Sequence, residues 1–157
     1  MDPTCQACAG ELLEAVPMVM RFIRDQVRRR GTKGLSLLEF RTLALLNRVK
    51  DLSLSAAAEH LGILLPAMSR LVNVLVDRGW VRRQPVSSNR RQIALRLTAR
   101  GQATLEMVRR ALRRQLAQAL QSMSPADCQT VVGAMRVLRR TFEPRLAIGA
   151  KASVERA

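Results

Sequence analysis

The segment from Ser53 to Gly79 restricts the fold more than any other part of the sequence. It begins with a short alanine-rich stretch that closes at Gly62, a residue able to take the left-handed conformation that ends a helix. Pro66 then stands where the first residue of a helix would, and apolar residues continue at helical spacing until Gly79 stops the pattern. Two short helices joined by a tight turn predict a helix-turn-helix.

The chain after Gly79 changes from a helical to an extended pattern. Residues 80–82 lead into it, residues 85–89 supply turn formers, and apolar side chains then alternate at Ile93, Leu95 and Leu97. The pattern predicts a two-stranded hairpin that is small enough to be a wing beside the helix-turn-helix.

Longer helical patterns precede this region. The first is predicted from about Ala9 to Arg30, where Pro17 either kinks the helix or marks its first turn. The second opens at Ser36, whose hydroxyl can cap the helix while Glu39 reaches back to the cap.

Two more helices are predicted to close the chain, over about Ala99–Met123 and Ser124–Phe142. The sequence Ser-Pro-Ala-Asp that starts at Ser124 is a strong cap, and apolar residues follow it at alternating steps of three and four. An apolar stripe this regular indicates that the last helix packs against a partner helix. Residues 1–7 and 148–157 are expected to be frayed.

Composition narrows the class of partner. The chain has 157 residues, 48% of them hydrophobic, which suits one compact domain and leaves little room for a second. Lys and Arg number 27 against 12 Asp and Glu, so the formal net charge is +15. This surplus favours a polyanionic partner, with nucleic acid as the leading candidate. Coding bias could explain why the cations are mainly arginine, but it does not explain the surplus.

Neither membrane insertion nor secretion is indicated. The sequence has no run of about 18 apolar residues, and its start lacks a basic segment followed by an apolar one. A cytoplasmic, nucleoid-associated location without membrane contact is expected. The three cysteines, Cys5, Cys8 and Cys128, are an odd number in such a chain, which argues against a disulfide scaffold. The sequence indicates no cofactor.

Three motifs resemble those of one protein family. AEHLGI (Ala58–Ile63) is similar to the family's entry into its helix-turn-helix, and LPAMSRLVNVLVDRGWV (Leu65–Val81) to its recognition helix. NRRQIALRLTARG (Asn89–Gly101) is similar to its wing and the start of the next helix. Together with the order of the predicted elements, they resemble the multiple-antibiotic-resistance regulator (MarR) family of winged helix-turn-helix transcription regulators.

The resemblance implies a mainly α fold with a small β-wing, whose N- and C-terminal helices form an intertwined dimerisation base. Residues 1–157 would be a single domain, with about 36–98 as the DNA-binding lobe and about 9–30 and 101–145 as dimerisation helices. The implied function is a homodimeric regulator, a repressor by analogy, that binds palindromic operators in double-stranded DNA. Its two recognition helices would lie about one DNA turn, roughly 34–36 Å, apart.

The residues nominated for DNA contact combine this resemblance with their position at the start of the recognition helix or on the wing. They are Ser53, Pro66, Ala67, Met68, Ser69, Arg70, Asn73, Asn89, Arg90 and Arg91. In the family pattern Arg70 reaches the major groove, where it contacts a guanine edge or a phosphate. The alternative is a solvated or internally paired arginine. The resemblance places Arg91 in the minor groove. The alternative is that Arg90 and Arg91 are simply solvated, as charged residues on a hairpin usually are.

The sequence departs from the family pattern at two places. Asn89 stands where the family usually carries an aspartate that holds the wing arginine, so Arg91 is expected to be less rigidly aimed. Leu64 and Leu65 replace polar residues, so the recognition helix is expected to lack a side-chain cap. These leucines either meet thymine methyl groups or pack inward.

The resemblance also implies that a small lipophilic or aromatic acid releases the DNA by binding in a crevice. Met18, Phe22 and Leu43 are candidate walls for this crevice, and ordinary core packing is the alternative.

Thiol oxidation is a second route to release. Cys8 lies near the predicted start of the first helix, and one branch of the family senses peroxides through a cysteine in that region. That branch orients its thiolate with tyrosines, and this chain has no Tyr. Cys5 and Cys8 could instead form a local disulfide, but no four-ligand zinc set is apparent and no metal is expected. Cys128 is interpreted as a small buried hydrophobe.

Two other classes of function compete with a regulator. A thiol oxidoreductase lacks its usual βαβ context, and His60 is interpreted as a half-exposed helix residue, so no enzyme is expected. A sequence-indifferent architectural or RNA-binding protein is the alternative that the charge of +15 allows. It predicts steep salt dependence with little discrimination between sequences.

Overall fold

The computed structural model describes residues 2–29, 35–86 and 89–154, and the side chains of these residues except 86–92 and 144–154. The chain divides into two compact units, Met1–Leu37 and Leu38–Ala157. Its elements in order are α1 (Pro3–Arg29), α2 (Leu37–Arg48), α3 (Leu54–Leu61), α4 (Leu65–Asp77), β1 (Val81–Val86), β2 (Asn89–Leu97), α5 (Ala99–Ala119) and α6 (Pro125–Val154). The predicted mainly helical fold with a two-stranded wing is confirmed.

Helix α1 begins earlier than its periodicity predicted. Asp2 supports the first turn, because its Oδ1 atom accepts a hydrogen bond of 2.8 Å from the Thr4 N–H and its carbonyl accepts one from the Cys5 N–H. Pro3 is tolerated as the first helical residue, where its missing N–H costs nothing. The expectation of a frayed start was therefore wrong for residues 3–7. Pro17 lies inside the helix and does not mark its first turn.

The helix-turn-helix has the capping that the sequence indicated at Gly62. This residue adopts φ 67° and ψ 37°, and its N–H donates to the carbonyls that close α3. The following helix, α4, is bent from α3 by 110°. Pro66 falls in the first turn of α4, whose N-cap residue is Leu64. The angle lies in the range typical of helix-turn-helix motifs.

The core of the second unit lies between the helix-turn-helix, α2, the base of the wing and the first half of α5. Its fully buried large side chains are Leu43, Met68, Val72, Leu75, Val81, Leu95 and Leu105. Met68, Val72 and Leu75 form one stripe of α4, and each of the others comes from a different helix or strand. Burial of that stripe leaves the opposite face of α4 in solvent.

The wing is an antiparallel pair in which Val81 lies opposite Leu97 and Pro85 opposite Ile93. The expected alternation along β2 was only partly right, because Ala94 and Leu95 are both buried while Ile93 is exposed. Neighbouring strand residues point to opposite faces, so this part of β2 is covered on both. On one edge the Leu95 N–H donates to the carbonyl of Leu52, a bridge to the loop before α3 that periodicity did not indicate.

A close backbone contact joins the helix-turn-helix to α5. Thr98 caps α5 by accepting a 3.0 Å hydrogen bond from the Gly101 N–H, while its hydroxyl donates to the Gly79 carbonyl at 2.7 Å. The Thr98 N–H also donates to the Trp80 carbonyl at 3.0 Å. A Cβ atom on Gly101 would lie 2.0 Å from that same Trp80 oxygen. Glycine is therefore required where the chain crosses from the wing into α5.

The C-terminal helices differ from prediction at their ends. Helix α5 stops at Ala119, short of the predicted Met123. The predicted cap at Ser124 is confirmed, because its Oγ accepts from the Asp127 N–H at 3.1 Å. Helix α6 continues to Val154, beyond the predicted Phe142. Exposed apolar residues line α6 at Val131, Val132, Met135, Val137 and Phe142.

No single helix in the described part of the chain is long and apolar enough to cross a membrane. The bent pair α3 and α4 meets that test of length and composition when the two are taken together.

Candidate DNA-binding surface

One face of α4 is exposed and carries most of the residues nominated for DNA contact. Pro66, Arg70 and Asn73 are exposed, and Ala67 and Ser69 are half-exposed. Their spacing of three and four residues places Pro66, Arg70 and Asn73 on successive turns of the same face. The structure therefore brings these residues together at the surface.

Met68 is the exception, and its nomination as a DNA contact was wrong. Its side chain is 0% exposed because it belongs to the apolar stripe of α4, together with Val72 and Leu75. A side chain in that position cannot reach a base or a phosphate. The helical periodicity already contained this signal, since Met68 precedes Val72 by four residues.

Arg70 projects from the second turn of α4. It is exposed, and within the described part of the chain it forms no hydrogen bond or ion pair. The N-terminal half of a helix also carries a positive dipole end, which adds to the attraction for phosphate. The geometry does not support the alternative of an internally paired arginine.

Ser53 has a structural role at the start of α3. Its Oγ accepts a 3.2 Å hydrogen bond from the Ala56 N–H and lies 3.1 Å from the Ser55 Oγ. The side chain is half-exposed, so the hydroxyl that caps α3 also faces solvent. Contact between Ser53 and DNA stays a prediction.

The two leucines before the recognition helix do not pack inward. Leu64 is 79% exposed and Leu65 is 49% exposed, so of the two alternatives inward packing was wrong. Leu64 is the N-cap of α4 with φ −66° and ψ 144°, and it makes no side-chain cap hydrogen bond. The first turn of α4 thus keeps unpaired N–H groups that point away from the helix.

We expect Leu64→Ser to raise the free energy of unfolding by about 1 kcal/mol, because the backbone already has the geometry of a capped N-terminus. The melting temperature should rise by roughly 2–4 °C. Leu64→Ala, which removes the same exposed side chain without adding a cap, is the matched control. A melting temperature for the serine variant at or below that of the alanine variant would contradict the prediction.

Two arginines of the wing base are held by residues outside the wing. Arg83 Nη2 donates to Asn73 Oδ1 at 2.7 Å, and Arg96 Nε donates to Asp51 Oδ1 at 3.0 Å. Arg96 Nη2 makes a second bond to the same carboxylate oxygen. Neither pairing was predicted, because the partners lie on different elements.

The structure describes only part of the tip of the wing. Residues 89–92 belong to the backbone of β2, but the side chains of Asn89, Arg90 and Arg91 are outside the described part. Their DNA contacts therefore stay predictions. Arg82 at the base of the wing is exposed on β1.

An ion pair between the half-exposed Arg78 and the buried Glu39 holds the end of α4. Arg78 Nη1 lies 3.3 Å from the Glu39 carboxylate, and the Arg78 guanidinium stacks 5.0 Å from the centre of the Trp80 ring. Glu39 is buried, so this contact joins α2 to the end of the recognition helix. The sequence suggested a capping role for Glu39 and did not indicate this pairing.

A second basic feature is a cleft of about 370 Å³ between α2, α3 and α5. Phe40, Ala44, Leu45 and Leu61 form its apolar lining, and its basic lining consists of the cations Arg41, Arg48 and Arg109 together with His60. Arg48 Nη2 lies 3.1 Å from His60 Nε2. Because arginine only donates, Nε2 is the acceptor and the imidazole is neutral. His60 is half-exposed, as its sequence position suggested.

Partial burial, and then the nearby charges of Arg48 and Arg41, lower the pKa of His60 from its usual 6.5. The His60 imidazole is therefore protonated more readily in the unfolded chain than in the folded protein. The contribution of neutral His60 to the free energy of unfolding is present above pH 6.5 and is lost as the pH falls from there through the lowered pKa. His60 is the single histidine of the chain. We expect urea melts between pH 7 and 5 to show a smaller loss of stability for His60→Gln than for wild type. Equal losses would contradict this assignment.

The candidate sensing residues occupy dissimilar environments. Met18 is 58% exposed and Phe22 half-exposed on α1, whereas Leu43 is fully buried in the core of the second unit. Cys5 and Cys8 are exposed and unpaired thiols, and Cys128 is half-exposed. The earlier start of α1 places Cys5 in the first turn and Cys8 in the second.

A local disulfide does not suit this helical geometry. Residues three apart on a helix have Cβ atoms about 5–6 Å apart. A disulfide needs roughly 3.5–4.5 Å, so joining Cys5 to Cys8 would require the first turns of α1 to adjust. Among the described residues no group of three or more His, Cys, Asp or Glu side chains could hold a metal ion.

Comparison with known proteins identifies the helix-turn-helix and wing. Residues 33–92, from the start of α2 to the wing, match the sequence model of the MarR family. Over these residues the chain is similar to the MarR family. The match spans the elements that expose Arg70 and Asn73, whereas α5 and α6 lie outside it.

Solved structures share the fold of this chain. RV1404 from Mycobacterium tuberculosis is 23% identical with a TM-score of 0.75, and the match covers 91% of this chain and 97% of that one. The transcriptional regulator BldR from Sulfolobus solfataricus is 22% identical with a TM-score of 0.64, covering 89% and 99%. FabT from Streptococcus pneumoniae, solved in complex with DNA, is 19% identical with a TM-score of 0.63, covering 88% and 97%. No curated protein matches the chain.

Proposed function

We propose that this protein is a homodimeric transcription regulator of the MarR family that binds palindromic operators in double-stranded DNA and acts as a repressor. The observation that carries the proposal is the exposed face of α4, where the polar Ser69 and Asn73 and the cationic Arg70 lie at the surface beside Pro66. A recognition helix of this kind enters the major groove with its N-terminal turns.

The charge of the protein supports a DNA partner. The net charge is +15, and Arg70 and Arg82 stand exposed on α4 and on the base of the wing. The fold is shared with FabT, whose structure was solved in complex with DNA. Arg90 and Arg91 follow later in the sequence of the wing, and we assign Arg91 to the minor groove.

The exposed apolar residues of α1 and α6 support a dimer. Leu13 on α1 is 75% exposed, and a row of half-exposed valines, Met135 and Phe142 runs along α6. Apolar stripes of this length are rarely left in solvent. We assign residues 1–157 to one functional domain, with α1, α5 and α6 pairing with a second copy and 36–98 binding DNA. Two-fold symmetry then matches a palindromic site.

The charge alone would also allow a sequence-indifferent architectural protein. Band shifts with a site selected from a random duplex pool, and with random duplex, at two salt concentrations separate the two functions. A regulator retains a preference of at least about 10³-fold for its site, while both affinities fall with salt. Equal affinities for the selected and the random duplex at both salt concentrations would refute the proposal.

The basic cleft supports release by a small aromatic or lipophilic acid. An acid needs a cation for its carboxylate and an apolar wall for its body, and the cleft offers Arg41 and Arg48 beside Phe40. Benzoate can serve as the probe in calorimetry and in operator release. We expect Arg41→Ala to lose both the binding of benzoate and the release of the operator by benzoate, and we expect Arg113→Ala to keep both. Unchanged release in Arg41→Ala would contradict this site.

Thiol oxidation is tested separately. If peroxide releases DNA through Cys5 and Cys8, a Cys5→Ser/Cys8→Ser variant should keep its DNA under peroxide. Release that is unchanged in this variant would discard the thiol route.

A further inference from the structure

The start of the recognition helix α4 is apolar and lies at the surface. Leu64, its N-cap residue, is 79% exposed, and Leu65, its first helical residue, is 49% exposed. Pro66 and Ala67 follow and are exposed and half-exposed. The first polar side chain of the helix is that of Ser69, in the second turn. No exposed side chain before the second turn can therefore donate or accept a hydrogen bond.

Neither core packing nor capping accounts for the two leucines. The apolar stripe of α4 is buried from Met68 onwards, whereas Leu64 and Leu65 precede that residue and stay at the surface. A leucine at the N-cap also leaves the helix without a side-chain cap hydrogen bond. Residues that break the local rules of packing and capping are expected at functional sites.

The two leucines are continuous with the surface that we assign to DNA. Pro66 follows them directly, and Arg70 and Asn73 lie on the next turns of the same helix. No acidic residue stands between Glu59 and Asp77 in the sequence, so this surface does not repel phosphate. A recognition helix contacts base edges with the residues at its start. This position and this charge favour double-stranded DNA as the partner that covers the leucines.

The major groove presents only one apolar group to such a helix. Guanine shows two acceptors, adenine an acceptor and a donor, cytosine a donor, and thymine an acceptor beside its C5-methyl group. A leucine placed against a donor or an acceptor removes its water without replacing the lost hydrogen bond, which is unfavourable. Against a methyl group the same side chain buries apolar surface, which is favourable. An apolar helix start therefore favours thymine over the other bases.

We propose that Leu64 and Leu65 contact thymine methyl groups in the major groove and thereby make the protein select T·A pairs at the start of α4. This inference rests on the proposed binding of operator DNA. It adds to that function the kind of base that the first turn of the recognition helix selects.

The test removes the methyl groups from the DNA and the leucines from the protein. The operator that wild type selects from a random duplex pool is synthesised with deoxyuridine in place of thymine, at one symmetric pair of positions at a time. Deoxyuridine pairs with adenine as thymine does, but it lacks the C5-methyl group. Fluorescence anisotropy then measures how tightly wild type, Leu64→Ser and Leu65→Ser bind each duplex.

We expect at least one pair of positions at which deoxyuridine weakens the binding of wild type by roughly tenfold, because each half-site loses one buried methyl group. At such positions the loss should shrink to less than about twofold in Leu64→Ser, in Leu65→Ser or in both, since serine offers no comparable apolar surface. Comparing the losses of two proteins on the same pair of duplexes cancels any effect of deoxyuridine on the DNA itself.

Val74→Ser is the control for the loss of an exposed apolar side chain, because Val74 is 40% exposed in the later part of α4. It should keep the full tenfold loss at the same positions. Leu64→Ser is expected to melt above wild type, so a lost response to the methyl group in this variant does not come from unfolding.

Two outcomes would overturn the inference: no thymine methyl group affects the binding of wild type, or its effect is the same in both leucine variants as in wild type. A smaller effect in either variant supports it. In both overturning cases wild type still prefers its selected operator, so the proposed function stands. Failure of wild type to select any sequence would refute the proposed function and this inference with it.

Discussion

Gly101→Ala is expected to lower the free energy of unfolding by about 3–5 kcal/mol, a large part of the stability of a typical domain. The added Cβ would lie 2.0 Å from the Trp80 carbonyl oxygen and 2.8 Å from its carbonyl carbon. Both are backbone atoms, so no flexible side chain can move aside. The backbone must shift, which strains or breaks the Thr98–Trp80 hydrogen bond and the Thr98 cap of α5.

The melting temperature should fall by roughly 10 °C or more at equal protein concentration. Gly10→Ala is the matched control, because nothing lies within 4 Å of a Cβ at Gly10 inside α1. That variant should melt at or slightly above the wild-type temperature, since alanine favours helix. A Gly101→Ala protein that melts within about 2 °C of wild type would contradict the described crossing of Trp80 and α5.

Arg70→Ala and Arg91→Ala are each expected to weaken operator binding by at least roughly tenfold at physiological salt while leaving the melting temperature unchanged. Arg70 is exposed and forms no ion pair within the described residues, so its removal costs the fold little. In the proposed dimer each substitution enters the complex twice, which doubles its free-energy cost. Band shifts or fluorescence anisotropy with the selected operator measure the effect.

The salt dependence separates the two contacts that Arg70 could make. Loss of a phosphate contact lowers the slope of log affinity against log salt by about one per site, whereas loss of a guanine contact relaxes the preference at one base pair. Arg113→Ala is the control, because Arg113 is equally exposed but lies on α5. It should change affinity less than about threefold. Wild-type affinity in both Arg70→Ala and Arg91→Ala would refute the assigned roles.

Much of the candidate surface could be predicted, because its signals are local. The positive φ of Gly62, the proline in the first turn of α4 and the uncapped Leu64 all follow from residues within a few positions of each other. The burial of Met68 was predictable as well, because the spacing that defines the helix places it on the apolar stripe. The consecutive residues Pro66 to Arg70 cannot all contact DNA, because only one face of a helix can lie towards it.

The remaining differences arise where distant segments meet. Asn73 and Arg83 are ten residues apart, and Asp51 and Arg96 are 45 apart, on elements that only the fold brings together. Periodicity shows which face of a helix is apolar, but it does not show which polar side chains of two elements face each other. The cleft between α2, α3 and α5 has the same origin, because its lining residues come from three separate helices.

The sequence by itself determined the order of the helices and the wing, the turn at Gly62 and the exposed Arg70, because these depend on local propensity and hydrophobic period. The tertiary structure alone decided that Gly101 must cross the Trp80 carbonyl, that Arg96 binds Asp51 and that Asn73 turns its amide oxygen to Arg83. The physical reason is distance: a close approach or a hydrogen bond between remote segments requires the coordinates of both.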